Sequence, residues 1–261
     1  MFDEERLDII RKKVLSERRI KDSEDRKVVD EVFDKATLLT LYDMLKHRRI
    51  RSVEFPISTG KEGNVFLALD NAGSPVAVKI YRTTNADFKN MTEYIMGDPR
   101  FEGISHNKKK LIHAWCRKEF KNLQRYTSAG LPVPRPHFHQ ANILVMEYIG
   151  DDIAPAPSMK VSPPSDIGQA KEWKRILIDF IVRGYNDAGL VHADLSEYNV
   201  LIHRGCPVVI DVAQGVLKSH VNARRFLERD LDRVLKYFEK VGVKPETGEK
   251  EEILSRLKED E

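Results

Sequence analysis

The chain has no apolar run approaching the roughly 20 residues that a helix needs to cross a bilayer, so no membrane span is expected. Its opening stretch, MFDEERLDIIRKKVLSERR, is too rich in charge for a secretory leader. Only two cysteines occur among 261 residues, Cys116 and Cys206, far apart and without metal-type spacing. They read as ordinary buried thiols in a reducing cytoplasm, not as a disulfide or a zinc site. Internal repeats, zinc fingers and aromatic platforms for single-stranded bases are all missing. A net charge of +3 is too small to demand a nucleic-acid partner, although charge can cluster locally. No glycine-rich stretch ends in the Gly-Lys-Ser/Thr of a Walker motif.

What is present is a globular composition, 41% hydrophobic and 33% charged. The length suits two modest lobes or one large domain. Residues 1–27 are dense in charge of both signs and read as partly helical and solvated. Over 28–47, Val28, Val32, Leu38, Leu41, Tyr42 and Leu45 fall near helical spacing and predict an amphipathic helix or two. From Phe55 the pattern turns to short β-type runs, VFLAL (65–69) and VAVKIY (76–81), joined as a hairpin by NAGSP. Residues 83–110 are polar with weak periodicity and predict a long mobile insertion. Beyond it the pattern predicts a helix over 111–128, a buried strand over 143–149 and a linker over 151–166. A helix over 172–189, a strand over 207–211 and a last helix over 223–241 follow. Strands first and helices later predict an α+β fold, a small β-rich lobe joined to a helical one. The segments are 1–50, a helical piece packed on the rest; 51–149, the β lobe with its insertion; and 150–261, the helical lobe.

Several polar residues sit where apolar ones would be cheaper. In ISTGKEGNVF, Gly60 and Gly63 lie between β segments, where backbone N–H groups can approach phosphates. A plain hairpin turn has the same composition. In VAVKIY, alternation puts Ala77, Lys79 and Tyr81 on one face. A lysine there is expensive to bury unless paired, or it snorkels to solvent. On the next helix Leu111, Trp115, Glu119 and Leu123 are each four apart, so Glu119 interrupts an apolar stripe. Either the helix is rotated to leave Glu119 at an edge, or Glu119 pairs with Lys79.

The segment VHADLSEYNVLI (191–202) has the frame H-x-D-L-x-x-x-N inside apolar brackets. Asp194 can point at an attacking hydroxyl, and Asn199 can offer an amide oxygen to a hard metal such as magnesium. An Asx-turn uses the same residue types. PVVID ends a buried strand in Asp211, twelve residues after Asn199, where kinases hold magnesium, but Val-Ala-Gln-Gly follows instead of Phe-Gly. Met146, Glu147, Tyr148 and Ile149 stand where a linker between lobes would hold adenine, and an ordinary strand end reads the same way.

Taken in this order, the residues resemble the RIO family of atypical protein kinases, and in particular its Rio-one branch in an archaeal-like short form. STGKEGNVF, HADLSEYN and IDVAQGV carry the likeness, with FKNMTEYIMGDPRF, WCRKEFKNLQR and LPVPRP fitting the Rio-one branch. The resemblance implies a two-lobed protein-kinase-like fold with a small antiparallel β lobe and a truncated helical lobe. It implies ATP with Mg2+, Mn2+ being the alternative, for a serine/threonine kinase and ATPase that autophosphorylates on serine. Asp194 would be the catalytic base, Asn199 and Asp211 the metal ligands, and Asp211 also a transient phosphate acceptor. Ser58, Thr59, Gly60, Lys61, Glu62, Gly63 and Val65 would form the phosphate loop, with Ala77, Lys79 and Glu119 behind it. The implied partners are protein serines, its own included, and a precursor of the small ribosomal subunit. Contact with rRNA phosphates would fall to His47, Arg48, Arg49, Arg51 and Lys108–Lys110, which also read as solvated faces. Two other classes stay open: a small-molecule phosphotransferase, and a binding module that ATP merely switches.

Overall fold

The computed structural model describes residues 34–60, 63–83, 88–95, 98–101, 107–151 and 154–258. Lys61, Glu62, Val28, Val32 and the charged segment 1–27 lie outside the described residues. The chain forms two compact units, each described by itself.

In the first unit, helix α1 (Lys35–Lys46) starts where Asp34 caps it, accepting from the Thr37 amide at 2.7 Å. Its face of Leu38, Leu41 and Met44 packs on a five-stranded antiparallel sheet. The strands are β1 (Ser52–Thr59), β2 (Gly63–Leu69), β3 (Pro75–Tyr81), β4 (Pro136–Gln140) and β5 (Ile143–Glu147), in the order β1-β2-β3-β5-β4. Alternation decides which side chains meet α1: Val76, Val78 and Ile80 join the core with Phe66, Ile143 and Val145. Ala77, Lys79 and Tyr81 therefore face the other way. Pro56 is tolerated because β1 is an edge strand, and the register with β2 slips around it. Strand β4, which the proline-spaced LPVPRP masks in the sequence, pairs with β5.

Helix α2 (Phe88–Ile95) and a 3-10 turn (Pro99–Phe101) occupy the segment expected to be a long mobile insertion, and α3 (Lys108–Ser128) already begins inside it. The apolar residues Met91 and Phe101 are buried, which the weak periodicity of the segment conceals. Residues of α3 up to Phe120 belong to the first unit and those from Lys121 to the second.

The second unit is mainly helical. Helix α4 (Ile167–Asn186) starts earlier than its apolar pattern suggests because Asp166 caps it, accepting from Gln169 N at 2.8 Å. It packs against α5 (Ala223–Lys240), whose stripe of Phe226, Leu227, Leu231, Val234 and Phe238 is buried. Two small hairpin-like sheets hold the loops between them: β6 (Leu190–Val191) with β9 (Val216–Leu217), and β7 (Val200–His203) with β8 (Cys206–Val209). Strand β8 stops short of Asp211, which takes a left-handed conformation. A further helix, α6 (Glu249–Ser255), follows the one the sequence marks as last. Cys116 is buried, but Cys206 is exposed, contrary to expectation, because it opens β8 beside the Gly205 turn. No described helix is long and apolar enough to cross a membrane.

Candidate active site

In the first unit the two misplaced charges answer each other. Lys79 Nζ lies 2.9 Å from Glu119 Oε1, and Glu119 is 1% exposed. Glu119 Oε2 accepts a hydrogen bond from the Tyr81 hydroxyl, and Lys79 Nζ sits 5.1 Å from the centre of the Tyr81 ring. Both carboxylate oxygens are thus satisfied, which a buried ion pair requires if it is not to destabilise the fold. Tyr81 is a residue that sequence reasoning placed on the right face without assigning it a role. Strand register gathers more of the expected residues there: Val65 lies opposite Lys79, Ala77 opposite Met146, and Lys79 opposite Leu144. Val65, Ala77, Lys79 and Met146 consequently share one face of the sheet.

At the turn from β1 to β2, Ser58, Thr59 and Gly60 are exposed. Gly60 N donates to Gly63 O at 3.0 Å and to Asn64 Oδ1 at 3.3 Å, so the wholly buried Asn64 ties the turn from inside. Gly63 has a different reason to be glycine from the one its motif suggests. A Cβ there would stand 2.3 Å from the Ile80 carbonyl oxygen, so the β3 backbone demands its absence. Glu147 is exposed and Met146 and Tyr148 half-buried at the end of β5, while Ile149 falls in the second unit.

In the second unit two loops carry the candidate acids. His192 Nδ1 accepts from Asp194 N at 3.2 Å, which leaves Nε2 to donate to Ile210 O at 3.1 Å. The imidazole therefore bridges the Asp194 loop to the residue before Asp211. Ala193 and Asp211 are non-glycine residues at φ 67° and 58°, a conformation costing about 1–3 kcal/mol each when nothing compensates. The compensation at Ala193 comes from α5. Buried Asp230 accepts from Ala193 N at 2.7 Å and from Leu195 N at 3.0 Å, and Arg229 donates to Ala193 O. Burial pushes the Asp230 carboxyl up to about 6 against the pull of His192, the two amides and Arg229. Asp230 interrupts the apolar stripe of α5 as Glu119 interrupts that of α3, and that interruption is the sequence signal by which it could have been found.

Asn199 Nδ2 donates to Asp194 O at 2.9 Å and to Asp194 Oδ2 at 3.2 Å, which leaves Oδ1 as the acceptor of that amide. Arg233 Nη1 lies 2.9 Å from Asp194 Oδ1. Among the described residues no three His, Cys, Asp or Glu side chains converge as a metal cage. The donors on offer are hard oxygens, the Asn199 amide and the Asp211 carboxylate. That set fits a magnesium ion that keeps waters and takes its other ligands from phosphate, and it does not fit zinc.

Comparison with known proteins shows the family. Residues 64–252 match the RIO domain family. The chain is 46% identical over 228 residues to the RIO-type serine/threonine-protein kinase Rio1 of Haloferax volcanii, covering 86% of this chain and 76% of that one. It is 38% identical to the Rio1 kinase of Methanocaldococcus jannaschii, covering 90% and 80%. It is 40% identical to the serine/threonine-protein kinase RIO1 of Homo sapiens, covering 84% of this chain but only 39% of the human protein. Among solved structures it is similar to the Rio2 kinase–ADP/Mg2+–phosphoaspartate complex of Chaetomium thermophilum. That likeness has a TM-score of 0.63 at 23% identity, over 85% of this chain and 66% of the other, and it establishes the fold.

Proposed function

The chain belongs to the RIO domain family of serine/threonine kinases, and on that premise we propose an ATP- and Mg2+-dependent enzyme that phosphorylates protein serines, its own included. The observation that carries the reading is the pair of loops presenting Asp194, Asn199 and Asp211, held by side-chain hydrogen bonds from His192, Asn199 and Asp230. Asp194 takes the proton of the attacking serine hydroxyl. Asn199 Oδ1 and Asp211 would hold the metal, which when bound supplies positive charge to the β and γ phosphates. Lys79, kept in place by Glu119 and Tyr81, binds a phosphate oxygen. The face of Val65, Ala77 and Met146 supplies an apolar bed for adenine.

Hydrolysis of ATP belongs to the same reading. The Rio2 complex contains phosphoaspartate beside ADP and Mg2+, and Asp211 is the residue we assign to accept the γ-phosphoryl group transiently before water removes it. The setting we propose is the cytoplasm, on a precursor of the small ribosomal subunit, with basic side chains against rRNA phosphates. A second reading uses the same residues as a switch: ATP sets the conformation and its hydrolysis releases the protein from that particle.

The test is incubation with γ-labelled ATP and Mg2+, beside Asp194→Asn and Asp211→Asn, counting acid-stable label and free phosphate separately. Acid-stable label in the wild type and none in Asp194→Asn is the expected result. Free phosphate with little stable label would favour the switch. Neither product would refute both.

A further inference from the structure

The segment between β3 and α3 reads in the sequence as a polar insertion, yet Asp98 and Arg100 open a chain of part-buried and buried bonds. Arg100 forks onto Asp98, with Nη2 2.6 Å from Oδ2 and Nε 2.8 Å from Oδ1, and the Asp98 side chain is 1% exposed. The remaining guanidinium nitrogen, Nη1, donates to Asn122 Oδ1 at 2.6 Å. Asn122 is fully buried on α3, and its Nδ2 donates to Val212 O at 2.8 Å and to Gly215 O at 3.0 Å. Those two carbonyls belong to the turn that follows Asp211.

The bonds form a directed relay. Asp98 accepts three bonds from the Arg100 guanidinium and one from the Arg100 amide, orienting the guanidinium; Arg100 orients the Asn122 amide; the amide spans the turn. Asn122 must present oxygen to Arg100 and NH2 to the turn, and the arginine contact removes its freedom to flip. The turn is packed against this amide so closely that a Cβ on Gly215 would lie 3.1 Å from Asn122 Nδ2 and 3.0 Å from Val212 O. The same segment reaches the other loop indirectly, through α5. Tyr94 stacks on Phe226 at 5.3 Å between ring centres, and its hydroxyl lies 3.5 Å from Arg229 Nη2, the group that bonds Ala193 O.

We propose that Asp98, Arg100 and Asn122 are positioning residues for the Asp211 loop. The turn of Asp98 and Arg100 is thus a working part of the active site, and its bonds to Asn122 set whether that loop holds its shape. In its consequence for catalysis this rests on the kinase reading; in its structural content it does not.

The experiment is hydrogen exchange on the full, nucleotide-free chain, comparing wild type with Arg100→Gln and Arg100→Lys. Lysine keeps an ion pair with Asp98 but has no planar fork to hold Asn122 at the same time. In both variants amides of residues 212–217 should exchange about tenfold faster, while those of α4 stay as in wild type. Phosphoryl transfer should fall about tenfold in kcat with KM for ATP within about twofold, the pattern of a lost positioning contact. Unchanged exchange over 212–217, or an equal rise along the whole chain, would overturn the proposal. A wild type without kinase activity would overturn the functional reading and leave the exchange result to stand. If Arg100→Gln fails to fold, Arg100→Lys and Asn122→Asp decide the matter on the same peptides, since aspartate keeps Arg100 but cannot donate to the two carbonyls.

Discussion

Asp230→Asn tests the account of the Asp194 loop. The wild-type carboxyl is pushed up from 3.8 to about 6 by burial, which His192, the amides of Leu195 and Ala193 and Arg229 only partly offset. A rise of about two pH units corresponds to about 3 kcal/mol. The sign follows from proton uptake: between pH 4 and 6 the folded protein holds a proton that the unfolded chain has released, so stability falls as pH rises. This contribution is fully present below about pH 4 and lost above about pH 6. Asparagine carries no titrating proton and lacks that slope. Its Oδ1 can accept one of the two amides well, while its NH2 repels the other, so the variant also carries a pH-independent cost of about 1–3 kcal/mol. The assay is urea unfolding of both proteins at half-unit steps from pH 4 to 7, taking the difference in stability at each step. Other carboxylates cancel in that difference. One of them is Asp34, where burial is outweighed by bonds from Thr83 and Thr37 that hold its carboxyl below the usual range. The wild type should lose about 3 kcal/mol relative to the variant across the range. A difference that stays flat from pH 4 to 7 would refute the claim that burial raises the Asp230 carboxyl.

Tyr81→Phe leaves Glu119 Oε2 without its hydroxyl donor in a buried setting. We expect a loss of about 1–3 kcal/mol in thermal unfolding and a raised KM for ATP, measured in the same labelled assay; an unchanged KM would separate Tyr81 from the site. Gly63→Ala places a methyl 2.3 Å from the Ile80 carbonyl oxygen, so β2 and β3 must part and stability should drop by about 1–3 kcal/mol or more. An alanine variant as stable as wild type would show the close approach to be illusory. Cys206 is exposed whereas burial pushes the Cys116 thiol up to about 12. A thiol reagent at pH 8 should therefore modify one cysteine per folded chain and two in denaturant, and rapid modification of both would contradict the packing of α3.

Much of the fold was legible because burial leaves periodic marks. The alternation of β3 and the four-residue stripe of α3 are local patterns, and of the two readings they left open, the Lys79–Glu119 pair is the one the structure bears out. The marks failed where a second force overrode hydropathy. Caps moved the start of α4, proline masked β4, and the structured pieces before α3 bury too few apolar residues to show a period. Asp211 was found by its position after an apolar strand, but its left-handed backbone has no local signature.

The order of glycine turn, strand lysine, helix acid, Asp/Asn loop and strand-end acid was written in the chain, because each lies in an apolar frame that only folding chemistry or phosphate chemistry would interrupt. The partners of those residues were not. Asp230 meets Leu195 across 35 residues, Tyr81 meets Glu119 across 38, and Asn122 meets Val212 across 90. Pairings of that separation depend on how helices and loops are stacked, and no window of local sequence contains both ends. Sequence determined which side chains could do the chemistry; the tertiary structure decided what holds each of them still.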